Sequence, residues 1–335
     1  MRLVEIDPLI PDAAVIAEAA VLLRRGGLVA FPTETVYGLG ALALDAAAVD
    51  RIYRAKGRPS YNPLIVHVAH REQALDVASA WPAFADALAG AFWPGPLTLV
   101  LPKRSEVPNA VTAGLPSVAV RVPAHPVARA LLIACAVPIA APSANRSMTL
   151  SPTTGRHVAK SLGDAVDLIL DAGRTSVGIE STVIDLTTPT PTLLRPGSIT
   201  LGQIEAVIGT VRRGLKAADG SARSSPGMMD RHYAPRARLA LADPDAVGHV
   251  IDRELVAAGT VGALVLSTLV PDHSNVRCVT MPGNAEAYAA QLYMALHALD
   301  DAGCDVIIVE RVPASPEWLG VRDRLERAAH EGFPD

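Results

Sequence analysis

The period of apolar positions along this chain changes repeatedly, and each change predicts an element. Over 11–25, Val15, Ile16, Ala19, Leu22 and Leu23 recur at helical spacing, and the run stops at Gly26 and Gly27, which predicts a helix ended by glycine. Short apolar runs predict strands at 28–31, 64–68, 97–101, 117–122, 138–141, 166–170, 182–186 and 192–194. Periodic stretches near 82–91, 126–135, 153–162 and 201–208 predict helices between them, and Asp45 caps another that runs to about Lys56. Tyr37-Gly-Leu-Gly40 reads as a glycine-permitted turn after the first strand. The pattern as a whole predicts an α/β fold, a large twisted mixed sheet with helices packed on it.

That pattern lapses between 210 and 235. Arg212, Arg213, Lys216, Asp219-Gly-Ser and Ser224-Ser-Pro-Gly bring polar and turn-forming residues without a period, so the chain divides into a domain over 1–210, a linker over 211–235 and a smaller domain over 236–335. Strands near 239–242, 262–267, 276–280 and 305–312 alternate with helical stretches near 244–257, 285–302 and 317–329, which predicts a Rossmann-like α/β domain with a small parallel sheet. The linker ends on Arg231-His-Tyr-Ala-Pro235, whose His232 and Tyr233 are well equipped to hydrogen-bond for a solvated tether.

Composition agrees with two cores: 335 residues, half of them hydrophobic, exceed what one core usually organises. Three widely spaced cysteines, Cys135, Cys278 and Cys304, sit in apolar runs and read as reduced, buried thiols, so a cytoplasmic location is expected. A membrane span is not expected, since no long uncharged apolar run occurs. Before residue 236 there are 22 Lys and Arg against 19 Asp and Glu, and from Arg236 onward 8 against 15. The first part can attract a polyphosphate, but it lacks the basic excess of a nucleic-acid binder, and at 4% aromatic residues stacking platforms are scarce.

Candidate chemistry gathers in the first domain. Gly38-Leu-Gly-Ala-Leu-Ala43 imitates a dinucleotide fingerprint, but its glycines come too late after the strand, and no GxxxxGK[ST] loop, CxxC or HExxH is present. No resident metal is therefore expected. Lys56 and Arg58 flank Gly57 at a helix end, where solvated cations are common. Pro59 and Pro63 stiffen the loop, and Asn62 and His67 follow, which favours a directed phosphate contact. Ser143 and Asn145, two apart after an apolar strand, reach one ligand if the backbone is extended, or cap a turn if it is not. Arg121, in mid-strand, requires an anionic partner, a protein carboxylate or a ligand. Ser181 at a strand start and Arg195 after a strand end stand where open α/β sheets present ligand groups.

Taken in order, FPTETVYGLG, KGRPxxNPLIVH, FWPGPLTLVL, VAVRVPAHP, APSAN, GIESTVID and LLRPGSI closely resemble the L-threonylcarbamoyladenylate synthase family, and SPGMxxRHYAP resembles the linker of its long, two-domain form. The resemblance implies an enzyme that converts ATP, L-threonine and bicarbonate or CO2 into threonylcarbamoyl-AMP and pyrophosphate. A separate transferase would then place the threonylcarbamoyl group on the tRNA adenosine beside the anticodon, so direct tRNA binding is expected to be weak or absent. It also implies that Lys56, Arg58, Ser143 and Asn145 surround the triphosphate, with Mg2+ held mainly by phosphate oxygens, and that Asn62, Ser117, Ser151 and Arg195 complete the nucleotide site. Arg121 would clamp the threonine carboxylate. Thr35, His67 and Ser181 would read its hydroxyl or amine, Ala141 would add a backbone contact, and His232 and Tyr233 would close the site. A carbamoyl transferase that forms the same adenylate internally would need zinc-finger cysteines that this chain lacks. An RNA-binding module would release no pyrophosphate.

Overall fold

The computed structural model describes residues 1–214, 233–257, 259–270 and 273–329, in two compact units. In the first unit the strands are β1 (Arg2–Glu5), β2 (Val29–Phe31), β3 (Gly38–Leu42), β4 (Ile65–His67), β5 (Leu97–Pro102), β6 (Ser117–Arg121), β7 (Ile139–Ala140), β8 (Leu168–Asp171), β9 (Thr182–Asp185), β10 (Thr192–Arg195) and β11 (Arg212–Arg213). They form one mixed sheet in the order β1-β8-β2-β3-β7-β4-β6-β5-β9-β10-β11. The helices are α1 (Ala13–Arg24), α2 (Ala46–Lys56), α3 (Ala83–Phe92), α4 (Asn109–Thr112), α5 (Pro126–Cys135), α6 (Gly155–Leu162) and α7 (Leu201–Ile208).

Strand alternation sorts the core onto the two faces of the sheet. Ala30, Leu39, Ala41, Val66, Val118 and Val120 face α2 and α6, whereas Val29, Phe31, Ile139, Leu168 and Leu170 face α1 and α5. Helix starts follow the sequence closely: the Asp12 carboxylate accepts from the amides of Ala14 and Val15, and Asp45 from those of Ala47 and Ala48. Helix α2 ends at Gly57, which takes φ +58° with open space where a side chain would be, so glycine serves conformation there.

The expected turn at Tyr37-Gly-Leu-Gly40 is instead strand β3, antiparallel to β2 and β7. The glycines serve close approach. A Cβ at Gly40 would stand 2.8 Å from Phe31 Cε1 and 3.1 Å from Ile139 Cγ2, so its absence lets the Phe31 ring lie across β3. That ring meets His67 edge to face, centroids 6.2 Å apart. Arg212 and Arg213, expected in the linker, pair in parallel with β10. Neither residue carries an apolar signal, and backbone pairing alone makes the strand.

The second unit comprises 229–335 together with the short segments 148–150 and 177–179, not a single contiguous piece. Its strands β12 (Arg238–Ala242), β13 (Val261–Val265), β14 (Val276–Thr280) and β15 (Val306–Glu310) form a wholly parallel sheet in the order β12-β15-β13-β14. Helices α8 (Val247–Ala257), α9 (Ala285–Asp301) and α10 (Leu319–Ala328) cover it. The Glu310 carboxylate, at the end of β15, accepts from the amides of Leu266, Ser267 and Thr268 and so fixes the loop after β13. Cys135 and Cys304 are buried free thiols, but Cys278 is exposed, because β14 is an edge strand whose residues mostly face water.

Gly40→Ala is expected to lose about 1–3 kcal/mol of stability, the usual cost of forcing extra volume into a packed core. Urea denaturation at neutral pH measures it, and an unchanged midpoint would show that Phe31 yields freely.

Candidate active site

One face of the sheet beyond β7 gathers the polar groups. Register places Ile65 beside Ala119 and His67 beside Arg121, so these residues and Ser117 share a face. Thr98 pairs with Val183 and lies on that face too, with Ser181 two residues earlier. Ile65, Val100, Ala119 and Val183 form a small buried apolar floor, and polar side chains stand around it. Ser117 and Arg121 mark opposite ends of β6, about 13 Å apart at about 3.3 Å per residue.

At the Arg121 end, charge and hydrogen bonding are tightly coupled. Arg121 is buried, and its partner is a protein carboxylate: Nη2 lies 2.6 Å from Glu34 Oε1. These two atoms approach off axis, without a directed hydrogen bond. Nη1 donates to Thr35 Oγ1 at 2.9 Å and Nε to the Gly95 carbonyl at 3.1 Å. The Thr33 hydroxyl donates to the Val36 carbonyl at 2.6 Å, so in its 2.8 Å contact with Thr35 it accepts. Thr35 therefore spends its proton on Thr33, one lone pair on Arg121, and keeps one lone pair for an incoming donor. That suits an amine.

His67 stands beside them, buried against the edge of Phe31. Burial, then the Arg121 charge, lowers its pKa to about 3, so the imidazole is neutral at working pH. Its Nδ1 has no hydrogen-bond partner among the described residues, a state buried polar atoms rarely keep without a ligand or water. Ser181 Oγ lies 2.7 Å from Thr98 Oγ1 and accepts from Arg195 Nη2 at 3.1 Å, while Arg195 Nε donates to the Ser181 carbonyl at 3.0 Å. Arg195 and Ser181, expected on different substrates, are thus direct neighbours. The Ala141 amide is already given to the Ile65 carbonyl at 2.9 Å, which leaves its carbonyl as the group able to contact a substrate.

The opposite end is basic, and its cations are buried instead of solvated. Lys56 is 2% exposed and Arg58 8%. The Lys56 ammonium donates to the Ser143 carbonyl at 2.5 Å, to the Asn145 carbonyl, and more distantly to Asn145 Oδ1 at 3.5 Å. The segment over 143–145 bends around this ammonium. Ser143 and Asn145 do not form the extended pair that would place both side chains on one side. Burial and the nearby Arg58 charge push the Lys56 pKa well below its ordinary value, while the carbonyl oxygens favour the charged form. Arg58 donates from Nε to the Asn62 carbonyl at 3.1 Å and from Nη2 to the Pro63 carbonyl at 2.8 Å, which ties the loop before β4. Tyr53 donates to Asn62 and Ala110 carbonyls below it.

Ser151 is buried on Glu180 at 2.5 Å. Tyr233 is buried in the second unit, where its ring meets Tyr293 at 6.0 Å and the Arg324 guanidinium at 5.2 Å, and is not part of a solvated tether. His232 lies outside the described residues. Sequence reasoning did not single out Glu34, Glu180, Thr98 or the Tyr37–Asp171 pair, whose hydroxyl and carboxylate are 3.0 Å apart. A signal for Glu34 did exist, since a mid-strand arginine demanded a carboxylate and Glu34 stands within the first motif.

A buried, positively charged face of this kind, with a neutral histidine and hydroxyls at one end, defines an anion-handling enzyme. Comparison with known proteins gives the family. A family model described as "Telomere recombination" (Sua5, YciO and YrdC) matches 21–197, and one described as "Threonylcarbamoyl-AMP synthase, C-terminal domain" matches 199–330. The chain is 45% identical to the threonylcarbamoyl-AMP synthase of Pyrococcus abyssi, over 93% of both chains, and 45% identical to that of Bacillus subtilis, over 96% of this chain and 95% of the relative. The crystal structure of P. abyssi Sua5 complexed with L-threonine superposes with a TM-score of 0.92 at 42% identity, covering 98% of each chain. The chain belongs to the threonylcarbamoyl-AMP synthase family, in its two-domain form.

The His67 environment sets a pH dependence. Its folded pKa, about 3, lies below the ordinary 6.5, so its contribution to stability is present above 6.5 and is lost as pH falls toward 3. From pH 7 to pH 5 this group alone is expected to remove about 2 kcal/mol. Urea midpoints at both pH values, for the native chain and His67→Gln, measure it. Equal losses in the two proteins would show that His67 titrates alike in the folded and unfolded chain.

Proposed function

We propose that this polar face joins L-threonine, bicarbonate or CO2, and ATP into threonylcarbamoyl-AMP with release of pyrophosphate, the first step toward threonylcarbamoyl-adenosine in tRNA. One observation carries the reading. Among the described residues of the first unit, four cations (Lys56, Arg58, Arg121 and Arg195) are buried with two carboxylates (Glu34 and Glu180). A polar face on which cations gather in this way suits a triphosphate and an amino-acid carboxylate, which can share the donors already held in place.

Threonine is assigned to the Arg121 end. Its carboxylate takes over the off-axis face of Arg121 from Glu34, its ammonium donates to the lone pair of Thr35, and its hydroxyl is read by His67 Nδ1 and Ser181 Oγ, with the Ala141 carbonyl as a further acceptor. ATP is assigned to the basic end. There Arg58 faces the phosphates, Ser117 and Asn62 line the nucleoside, and Lys56 holds the 143–145 bend so that Ser143 and Asn145 keep their positions. Ser151, Arg195, His232 and Tyr233 are assigned to the nucleotide by family resemblance. The threonine ammonium first gives up a proton to solvent, the free amine adds to CO2 and sheds a second proton, and the resulting carbamate oxygen attacks the α-phosphorus while the bond to the β-phosphate oxygen breaks and pyrophosphate leaves. No covalent enzyme intermediate is formed, so positioning and charge stabilisation carry the rate. Among the described residues no three His, Cys, Asp or Glu gather as a metal site, so we assign Mg2+ to the phosphate oxygens of the nucleotide and no step to the chain's own ligands. The product passes to a separate tRNA-modifying transferase. No described helix is long and apolar enough to cross a membrane.

Pyrophosphate release that requires both threonine and bicarbonate tests the reaction, and release without threonine would overturn it. Arg58→Ala is expected to cost on the order of 3 kcal/mol, a hundredfold or more in turnover, as for other preorganised donors. Turnover close to the native rate would return Arg58 to a purely structural role. In the same assay 2-aminobutyrate should be rejected strongly, since it leaves His67 Nδ1 unpaired, while serine should lose roughly 10- to 200-fold. Similar rates with threonine and 2-aminobutyrate would show that the pocket ignores the hydroxyl.

A further inference from the structure

In the second unit, β12 and β15 are parallel neighbours, yet the chain leaves their C-terminal ends toward opposite faces of the sheet. After β12 it enters α8, whose Val247 and Ile251 pack on the face of Ala240, Ala242 and Ile308. After β15 it enters α10, which packs on α9 and β12 across the other face. Diverging connections of this kind open a crevice outside the carboxyl ends of the strands, the position where open α/β sheets take their ligands.

A cavity of about 190 Å³ lies there, lined by Leu241 of β12, Arg311 and Val312 just after β15, and Arg322, Leu325 and Glu326 of α10. It is smaller than the roughly 300 Å³ at which drug-sized pockets begin, so it fits a small metabolite and not a nucleotide. The groups in it are of three kinds. Leu241, Val312 and Leu325 are apolar, Arg311 and Arg322 bring guanidinium groups, and Glu326 brings a carboxylate. The existing ion pairs are half-exposed: Arg311 with Asp243 at 3.0 Å, and Arg322 with Glu326 at 3.6 Å, one turn apart on α10. Arg322 also donates to the Ala314 carbonyl at 3.2 Å, which holds its guanidinium at the cavity rim. Exposed pairs of this sort contribute little to stability, so exchanging them for a ligand costs little.

The geometry points to a second ligand site in this crevice, for a free α-amino acid with an aliphatic side chain. Its carboxylate bridges Arg311 and Arg322, its ammonium takes Glu326, and its side chain enters the space between Leu241, Val312 and Leu325. A simple anion would leave Glu326 and the apolar wall unused, and an apolar ligand would leave both arginines unused. This site is separate from the threonine site assigned above and does not depend on it.

The full chain with 13C-labelled Leu and Val methyl groups, titrated with L-valine and with isovalerate, tests the proposal. L-Valine should shift the methyl resonances of Leu241, Val312 and Leu325 saturably and bind more tightly than isovalerate, which lacks the amine. Arg311→Gln with Arg322→Gln should weaken valine binding at least about tenfold. Glu326→Gln should remove the preference for valine over isovalerate. All three positions are partly exposed, and an unchanged amide spectrum far from the crevice checks that each variant folds. No saturable shift in these methyls, equal affinity for valine and isovalerate in the native chain, or equal displacement of valine by inorganic phosphate would each overturn the proposal.

Discussion

Positive charge buried in a sheet is the constraint on which the first unit is built. A guanidinium or ammonium taken out of water must find acceptors, and Lys56, Arg58, Arg121 and Arg195 find most of theirs in backbone carbonyls: Ser143 and Asn145, Asn62 and Pro63, Gly95, and Ser181. Carbonyl dipoles satisfy the donors without cancelling the charge. The cations are therefore held rigid, and Arg121 has the Glu34 carboxylate beside it as well. Had carboxylates matched them one for one, the same side chains would have formed an inert polar core.

Much of this was legible from the chain alone. The helix after Asp45 announced itself through its side-chain cap, because a cap is a local hydrogen bond that needs no tertiary information. Arg121 announced its need for an anion through its strand position. The misreadings fall where long-range packing decides. Gly38 and Gly40 look like a turn from either side, and only the approach of Ala141 to the first and of the Phe31 ring to the second explains them as strand residues. Ser143 and Asn145 leave a ligand pair and a turn both open, and only Lys56, 87 and 89 positions away, brings out the bend in their backbone. Cys278 sits in an apolar run whose strand is at a sheet edge, and edge position is a property of topology, invisible to periodicity.

Tyr233 shows the same competition between local and tertiary forces. It adopts φ +64°, a region costly for a residue with a Cβ, and is nonetheless fully packed between Tyr293 and Arg324. Arg324 is itself buried and paired with Asp323 at 2.6 Å. Aromatic packing and a cation over the ring face offset the backbone cost there, so the chain enters the second unit through a conformationally fixed point.

The non-contiguous makeup of the second unit bears on how such a chain can gain or lose it. Leu150 and Ile179, both nearly fully buried, belong to that unit although they lie far upstream of the bulk of it, and Thr149 pairs with Ala234 across 85 positions. A chain ended before residue 229 would therefore keep two short segments of that unit, and Thr149 would lose its partner Ala234. Shedding or acquiring the module thus touches the chain at three separate places, not at one boundary.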